Sequence, residues 1–370
     1  MHKNSHIPGL LALTLAGVCA AQTPCIATKY SEIAPCVGSS TDIILKDVYA
    51  PSNSAIDLRK LKAGTTVTFA GKTTFGFTND SSFEPILIGG SGITVTGEPD
   101  AIIDGNGQVY WDGLGSNGGV PKPNHFIAAS KLTGGSIIKN LFIQNWPVHL
   151  FTIRDADGLI LENLTLNNTA GDAPNAASGK LAAAHNSDGI DLINSNNTIV
   201  RNISVWNQDD CVAITSGNNV TVDGLYCFGG HGLSIGSVGG KAYNDVTNIV
   251  FKNSKVVNSS NGARIKTNFN TTGFISNITY SNIQLTNIDT YGIDVQQDYL
   301  NGGPTGEPSD GFPIENILFE NVFGTVLPSA KNYYVLCGRG SCKNFTFSGV
   351  KITGGKNASF CNYPETGCPA

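Results

Sequence analysis

Between residues 186 and 266 the chain gathers three carboxylates (Asp188, Asp209, Asp210), one imidazole (His231) and two cations (Arg264, Lys266). They stand in four short phrases, NSDGID from Asn186, NQDDCVAI from Asn207, GGHGLSIG from Gly229 and ARIK from Ala263, in a chain that is only 14% charged. Carboxylates held together raise one another's pKa, so that at mildly acidic pH one is protonated while its neighbour is ionised. That supplies an acid and a base in one site. Inverting hydrolysis of a glycosidic bond needs such a pair, about 6.5 to 9.5 Å apart so that water fits between base and sugar. A calcium site is the alternative for clustered aspartates, because hard cations take oxygen ligands. Arg264 and Lys266 weigh against calcium: one residue apart on a strand, they face the same side and suit a substrate that carries its own carboxylates. Without the aspartates, ARIK would read as a solvated strand edge. His231 lies between Gly230 and Gly232; alone it reads as structural, but glycines permit close approach and imidazole can tune a neighbouring acid. Tyr291 and Gln296 can pack against or hydrogen-bond a sugar ring, although core packing suits the tyrosine equally well.

Consecutive aspartates face opposite sides of a regular strand, so Asp209 and Asp210 can share a site only at a strand end or bulge. The steps from Asp188 to Asp210, His231, Arg264 and Tyr291 are each about 20 to 35 residues, the length of one solenoid turn. Stacked turns lie about 4.8 Å apart and would bring these residues onto one wall. A repeated phrase supports the coil: SIIKNLFIQN, GLILENLTLNN, NTIVRNISVWN, VTNIVFKNSKVVN, ISNITYSNIQLTN and IENILFENVFG. A second set, HLFTIRD, GIDLIN, CVAITSG, GLSIGSV, ARIKTN, YGIDVQQD and YYVLCG, alternates with it. Period-2 alternation, several strands per repeat and no helical period predict an all-β right-handed parallel β-helix rather than a leucine-rich or helical solenoid. The recurring asparagines, among them Asn140, Asn163, Asn202, Asn248, Asn277, Asn316 and Asn344, tolerate left-handed turns and can bond the equivalent amide one turn away. Residues 25 to 63 read as an N-terminal cap with one short helix within TDIILKDVYAPS and SAIDLRKLKAG. The segment from Cys337 reads as the closing cap. The loop GDAPNAASGKLAAAH, ending at His185, reads as a cleft rim. GNGQVYWDG resembles a GxG phosphate phrase but no helix follows, so it carries no such expectation.

Composition agrees. Glycine is frequent, at 44 of 370 residues, and there is a single methionine, which favours strands and turns over helices. The formal net charge is −5 and the pI about 5.7, which disfavours nucleic acid as a partner. Residues 1 to 21, with Lys3, an apolar run from Gly9 to Val18 and small residues at Ala20 and Ala21, read as a secretory signal that a short propeptide can follow, and residues 22 to 370 as one catalytic domain. No other stretch is long enough to cross a bilayer. Beyond Cys19 the cysteines form close pairs, Cys25 with Cys36, Cys211 with Cys227, Cys337 with Cys342 and Cys361 with Cys368, as expected of disulfides in an exported chain. Glycosylation sequons are plentiful, but those at Asn163, Asn202 and Asn277 fall inside the repeated phrase and read as turn asparagines.

Taken in order, NSD at Asn186, QDDC at Gln208, GGHG at Gly229 and RIKT at Arg264 resemble the motifs NTD, DD, GHG and RIK of the fungal endo-polygalacturonases, pectin-degrading glycoside hydrolases of family 28. YWDG at Tyr110, YG at Tyr291, QQDY at Gln296 and CGRGSC near the C-terminus extend the likeness over nearly all of the mature chain. The resemblance implies that Asp209 is the general acid and that Asp188 and Asp210 hold and activate the attacking water. It also implies that His231 tunes the acid, and that Asn186, Arg264, Lys266, Tyr291 and Gln296 contact galacturonate. Ser187 replaces the usual threonine and keeps its hydroxyl. The implied protein is a secreted monomer without cofactor or metal, acting on polygalacturonate and meeting plant inhibitor proteins. The alternatives are an exo-acting relative, a calcium-dependent pectate lyase and a non-catalytic carbohydrate-binding β-helix.

Overall fold

The computed structural model describes residue 1, residues 23–301 and residues 303–369. The proposed signal segment therefore lies outside the described residues. Nearly every regular segment is a strand, and every pairing is parallel. The chain winds as a right-handed parallel β-helix. One sheet holds eleven strands, from Ile56–Leu58 to Phe360–Cys361, and the strands of the remaining faces join into an eighteen-stranded sheet.

The corners of the coil are made by asparagine. Asn140, Asn163, Asn202, Asn248, Asn277, Asn316 and Asn344 all take positive φ, between 54° and 58°. Asparagine enters this left-handed region at lower cost than most residues because its short side chain bonds locally. Here it also bonds along the stack: Asn248 donates to Asn218 at 2.6 Å, Asn277 to Asn248 at 3.0 Å and Asn344 to Asn316 at 3.1 Å. Between corners, alternate residues point inward and stack in register. Ile43, Val67, Val95, Ile138 and Leu161 occupy one interior column in successive turns. The same column continues into an aromatic stack of Phe251, Tyr280, Phe319 and Phe347, with ring centroids 4.7 to 5.4 Å apart.

The ends are closed as expected, with one difference. The helix lies at Tyr30–Ser39, ahead of the stretches in which it was expected, and these form the strands Asp42–Lys46 and Ile56–Leu58. Their period-2 burial, with Ile43 and Leu45 inside, is a strand pattern. The helix begins with a capping contact, Glu32 accepting from the Lys29 amide at 3.1 Å, and buries Ile33, Cys36 and Val37. The Cys25–Cys36 disulfide ties it to the first strand, and Cys337–Cys342 and Cys361–Cys368 close the far end. Among the described residues no helix is long and apolar enough to cross a membrane.

Candidate active site

The outer face of the eleven-stranded sheet carries the polar clusters in columns. Phe151, Ile190, Val212, Leu233, Ala263 and Ile293 pair in register. The residues two positions before them are His149, Asp188, Asp210, His231, Asn261 and Tyr291. Asp188, Asp210, His231 and Tyr291 thus share one edge of the sheet on successive turns. A second column runs Thr152, Asp191, Ala213, Ser234, Arg264, Asp294 and Tyr334. In a third, Lys266 pairs with Gln296.

Asp209 and Asp210 lie in the turn before the strand Val212–Ile214. The turn escapes strict alternation, so both side chains line the same cavity. Asn207 fixes it: its Nδ2 donates to the carbonyls of Ser187, Asp209 and Asp210 at 2.9 to 3.0 Å. The next residue, Cys211, is bonded to Cys227 on the adjoining coil. On the upstream turn, Trp146 Nε1 donates to the Ser187 carbonyl at 3.2 Å, and Trp111 Nε1 donates to the Trp146 carbonyl at 3.1 Å. Asp112, paired with buried Lys122 at 2.8 Å, accepts from the Leu114 and Val120 amides and shapes the loop between them. That loop presents Ser116 and Asn117 to Asn186 Oδ1, and Asn186 Nδ2 donates to Asp209 Oδ2 at 3.2 Å. The YWDG phrase is therefore part of the site's support.

The carboxylates are differently engaged. Asp210 accepts from Ser234 Oγ at 2.6 Å and from Lys266 Nζ at 2.8 Å, so both of its oxygens are occupied. Asp209 accepts from His231 Nδ1 at 2.9 Å. Burial alone pushes the Asp209 carboxyl up, but the His231 charge and hydrogen bond, with Lys266 behind them, outweigh it and hold the group below the usual carboxylate range. The Asp188 carboxyl is pushed up by burial and by the charges of Asp209 and Asp191, and its buried Oδ1 has no hydrogen-bond partner. One carboxyl is thus driven towards protonation and its neighbour towards ionisation, as clustering predicts. In the unliganded protein, however, the member driven towards ionisation is Asp209; burial pushes the His231 imidazole down, but the Asp209 charge and hydrogen bond outweigh it and favour the proton on His231.

Arg264 lies over Tyr299 and bonds Asp294 Oδ2 through Nε at 3.0 Å. Asp294 is fully buried, and burial raises its pKa to about 7. Tyr280 of the interior stack donates to the Arg264 carbonyl at 2.9 Å. Lys266 belongs to the internal ion pair with Asp210, and its side chain is only 6% exposed. Neither Tyr291, stacked on Tyr334 at 4.8 Å, nor Gln296, buried beside Lys266, lines the main cavity. The cavity has a volume of about 750 Å³, and Arg154, Lys241, Arg264 and the rim residue His185 also line it. Loops from opposite edges of the sheet touch across it, Asn301 Nδ2 reaching Asn117 Oδ1 at 3.5 Å.

Ligand-bearing atoms of Asp209, Asp210 and His231 lie within 4.8 Å of one another, as do those of His149, Asp188 and Asp191. The first group does not suit a hard cation. Both oxygens of Asp210 are already held, one by a buried ammonium, and a calcium ion would have to displace that charge. His149, Asp191, Asp294 and Tyr299 were not singled out in the sequence. Aligning HLFTIRD with GIDLIN and the aspartate before it would have brought out the first two, because His149 then stands opposite Asp188, and Thr152 opposite Asp191.

The profile described as "Glycosyl hydrolases family 28" matches residues 40–370. A probable endopolygalacturonase D of Emericella nidulans is 59% identical over 347 residues, covering 94% of this chain and 67% of that protein. A polygalacturonase of Fusarium fujikuroi is 56% identical over 348 residues, covering 94% and 93%. Among solved structures, endopolygalacturonase I from Stereum purpureum, complexed with two galacturonates, superposes with a TM-score of 0.78 at 32% identity, covering 90% of this chain and 96% of that one. Coil, clustered carboxylates and full-length similarity agree, and the chain belongs to glycosyl hydrolase family 28.

Proposed function

We propose that the protein is a secreted endo-polygalacturonase that hydrolyses α-1,4-D-galacturonosidic bonds of de-esterified homogalacturonan, with inversion and without a cofactor. The observation that carries this reading is the meeting of Asp188, Asp209 and Asp210 in one cleft flanked by Arg154, Lys241 and Arg264. Such cations suit a polymer bearing one carboxylate per sugar. The activities named for the relatives, and the galacturonates in the Stereum purpureum structure, support the same substrate class and endo action.

The roles follow from which atoms are free. Asp188 lines the cavity and, unlike Asp209 and Asp210, is not tied up by a direct hydrogen bond from histidine or lysine, so it takes the proton of the attacking water. Asp210, fixed by Lys266 and Ser234 through one hydrogen bond on each oxygen, keeps acceptor sites to orient that water and spreads negative charge. Asp209 gives its proton to the leaving glycosidic oxygen. Because the imidazole holds the shared proton before substrate binds, that proton crosses the 2.9 Å hydrogen bond from His231 to Asp209. Substrate carboxylates beside the imidazolium and exclusion of water both alter this balance.

The reversed protonation of the unliganded pair favours a second reading, in which Asp188 is the acid and Asp209 the base. An aryl galacturonide with a good leaving group separates the two, since it needs little acid assistance. Asp209→Asn should lower polygalacturonate hydrolysis by about 10² to 10⁴ yet keep much of its rate on the aryl substrate, whereas Asp188→Asn should lose both. The opposite pattern reverses the roles. Wild-type rate in Asp209→Asn would leave a carbohydrate-binding coil. Loss of activity on chelation, with new C=C absorption, would indicate a lyase. Release of monogalacturonate alone from a long oligomer would indicate exo action.

A further inference from the structure

We propose that His149 is a positioning residue whose charge opposes the protonation of Asp188, the proposed base, with Asp191 holding the imidazole in place. The inference rests on the reading of Asp188 as the base.

His149 sits one coil before Asp188 in the same register column. Its two ring nitrogens face different carboxylates: Nδ1 lies 3.4 Å from Asp191 Oδ2 and Nε2 3.9 Å from Asp188 Oδ1. Both Nε2 and Asp188 Oδ1 are buried atoms without a hydrogen-bond partner. Asp188 itself is 8% exposed and faces the charges of Asp191, Asp209 and Asp210. Three anions and burial all favour its neutral form, which cannot take a proton from water. His149 is the cation that opposes them.

The imidazole is suited to that task. Burial pushes its pKa down, but the charges of Asp188 and Asp191, with a smaller contribution from Asp209, outweigh this and bring it to about 10. It therefore stays charged wherever the acid/base pair works. From the preceding coil the His125 ring meets it edge-on, with centroids 5.7 Å apart, and His125 is itself bonded to Glu84 at 3.2 Å. The site thus has an imidazole on each side of its carboxylates, His231 serving Asp209 and His149 serving Asp188.

The test is the pH dependence of kcat/KM for His149→Gln, which removes the charge at similar size. Asp188 must be ionised to act, and loss of a neighbouring cation raises its pKa, so the acid limb should move up by about one pH unit. Activity below that limb should fall about tenfold and recover on its alkaline side, with KM for oligogalacturonates little changed. His149→Lys should restore the wild-type limb. In the wild type, the His149 ring resonances should show no titration up to about pH 8. An equal loss at every pH with an unmoved limb would overturn the inference in favour of mere packing. A raised KM for charged substrates with an unmoved limb would overturn it in favour of a substrate contact. Asp188→Asn is measured in parallel: if that variant stays active, the reading of Asp188 as the base fails, whereas an inactive Asp188→Asn beside an unmoved limb in His149→Gln sinks the inference alone.

Discussion

Asn207 carries more of the site than its chemistry suggests. It never needs to touch substrate, yet one amide group holds three backbone carbonyls across two coils. Asn207→Ala removes these hydrogen bonds, each worth about 0.5–1.5 kcal/mol, although each carbonyl keeps one other donor, Trp146 Nε1 or the amides of His231 and Gly189. It also frees the turn that aims Asp209 and Asp210. The expected result is a lower unfolding midpoint together with a fall in kcat larger than any change in KM, read by thermal scans and steady-state kinetics on the same sample. At this scale the sequence told its reader which side chains could do chemistry but not what each was already bonded to. Lys266, read as a hand for substrate, lines the cavity and is also the partner of Asp210. Asn186, assigned to sugar, lines the cavity and also holds Asp209. His149 was overlooked because it stands in no charged phrase. The parity of a strand is visible in letters, whereas a hydrogen bond between side chains on different coils is not.

At the scale of the element, the corner asparagines do two jobs that substitution can separate. Asn248 sits at φ 57° and bonds both Asn218 and Asn277 along the stack. Asn248→Gly loses the bonds but keeps the backbone at ease, while Asn248→Ala loses both and adds about 1–2 kcal/mol of left-handed strain. Denaturant unfolding should therefore rank wild type above Gly and Gly above Ala. Gly and Ala at equal stability would show that the bonds alone matter. This level of organisation was readable, because the same phrase with the same asparagine recurs in most coils from Asn140 onward. The helix was not, since Tyr30–Ser39 contains Pro35 and shows its purpose only once the open end of the coil is there for it to cover.

For the whole molecule, the buried charges tie stability to pH. His149 is raised to about 10, so its stabilisation is complete below its unfolded value near 6.5 and fades as pH climbs from there through 10. Asp294 is raised to about 7 by burial; the unfolded chain releases that proton first, so stability also falls between about pH 4 and 7. Asp209, held low by His231 and Lys266 against the upward push of burial, acts in the opposite sense, and its contribution is lost only on strong acidification. The melting temperature should be highest in mild acid and decline steadily towards alkaline pH, and a profile level between about pH 6 and 9 would contradict these assignments. One further property belongs to no single coil. The contact of Asn301 with Asn117 joins exposed side chains and is worth no more than about 1 kcal/mol, so it parts readily enough for a strand to be admitted sideways. On the proposed function, a strand lying in the cleft when the contact re-forms would be encircled. Asn301→Ala should accordingly reduce the number of cuts made per encounter, seen as a steeper loss of viscosity per reducing end released. A catalyst ringed in this way would behave as a bead on a thread: after each cut the shortened thread would escape by sliding off its end, and how long the bead kept working would be set by a latch of two amides rather than by the strength of its grip.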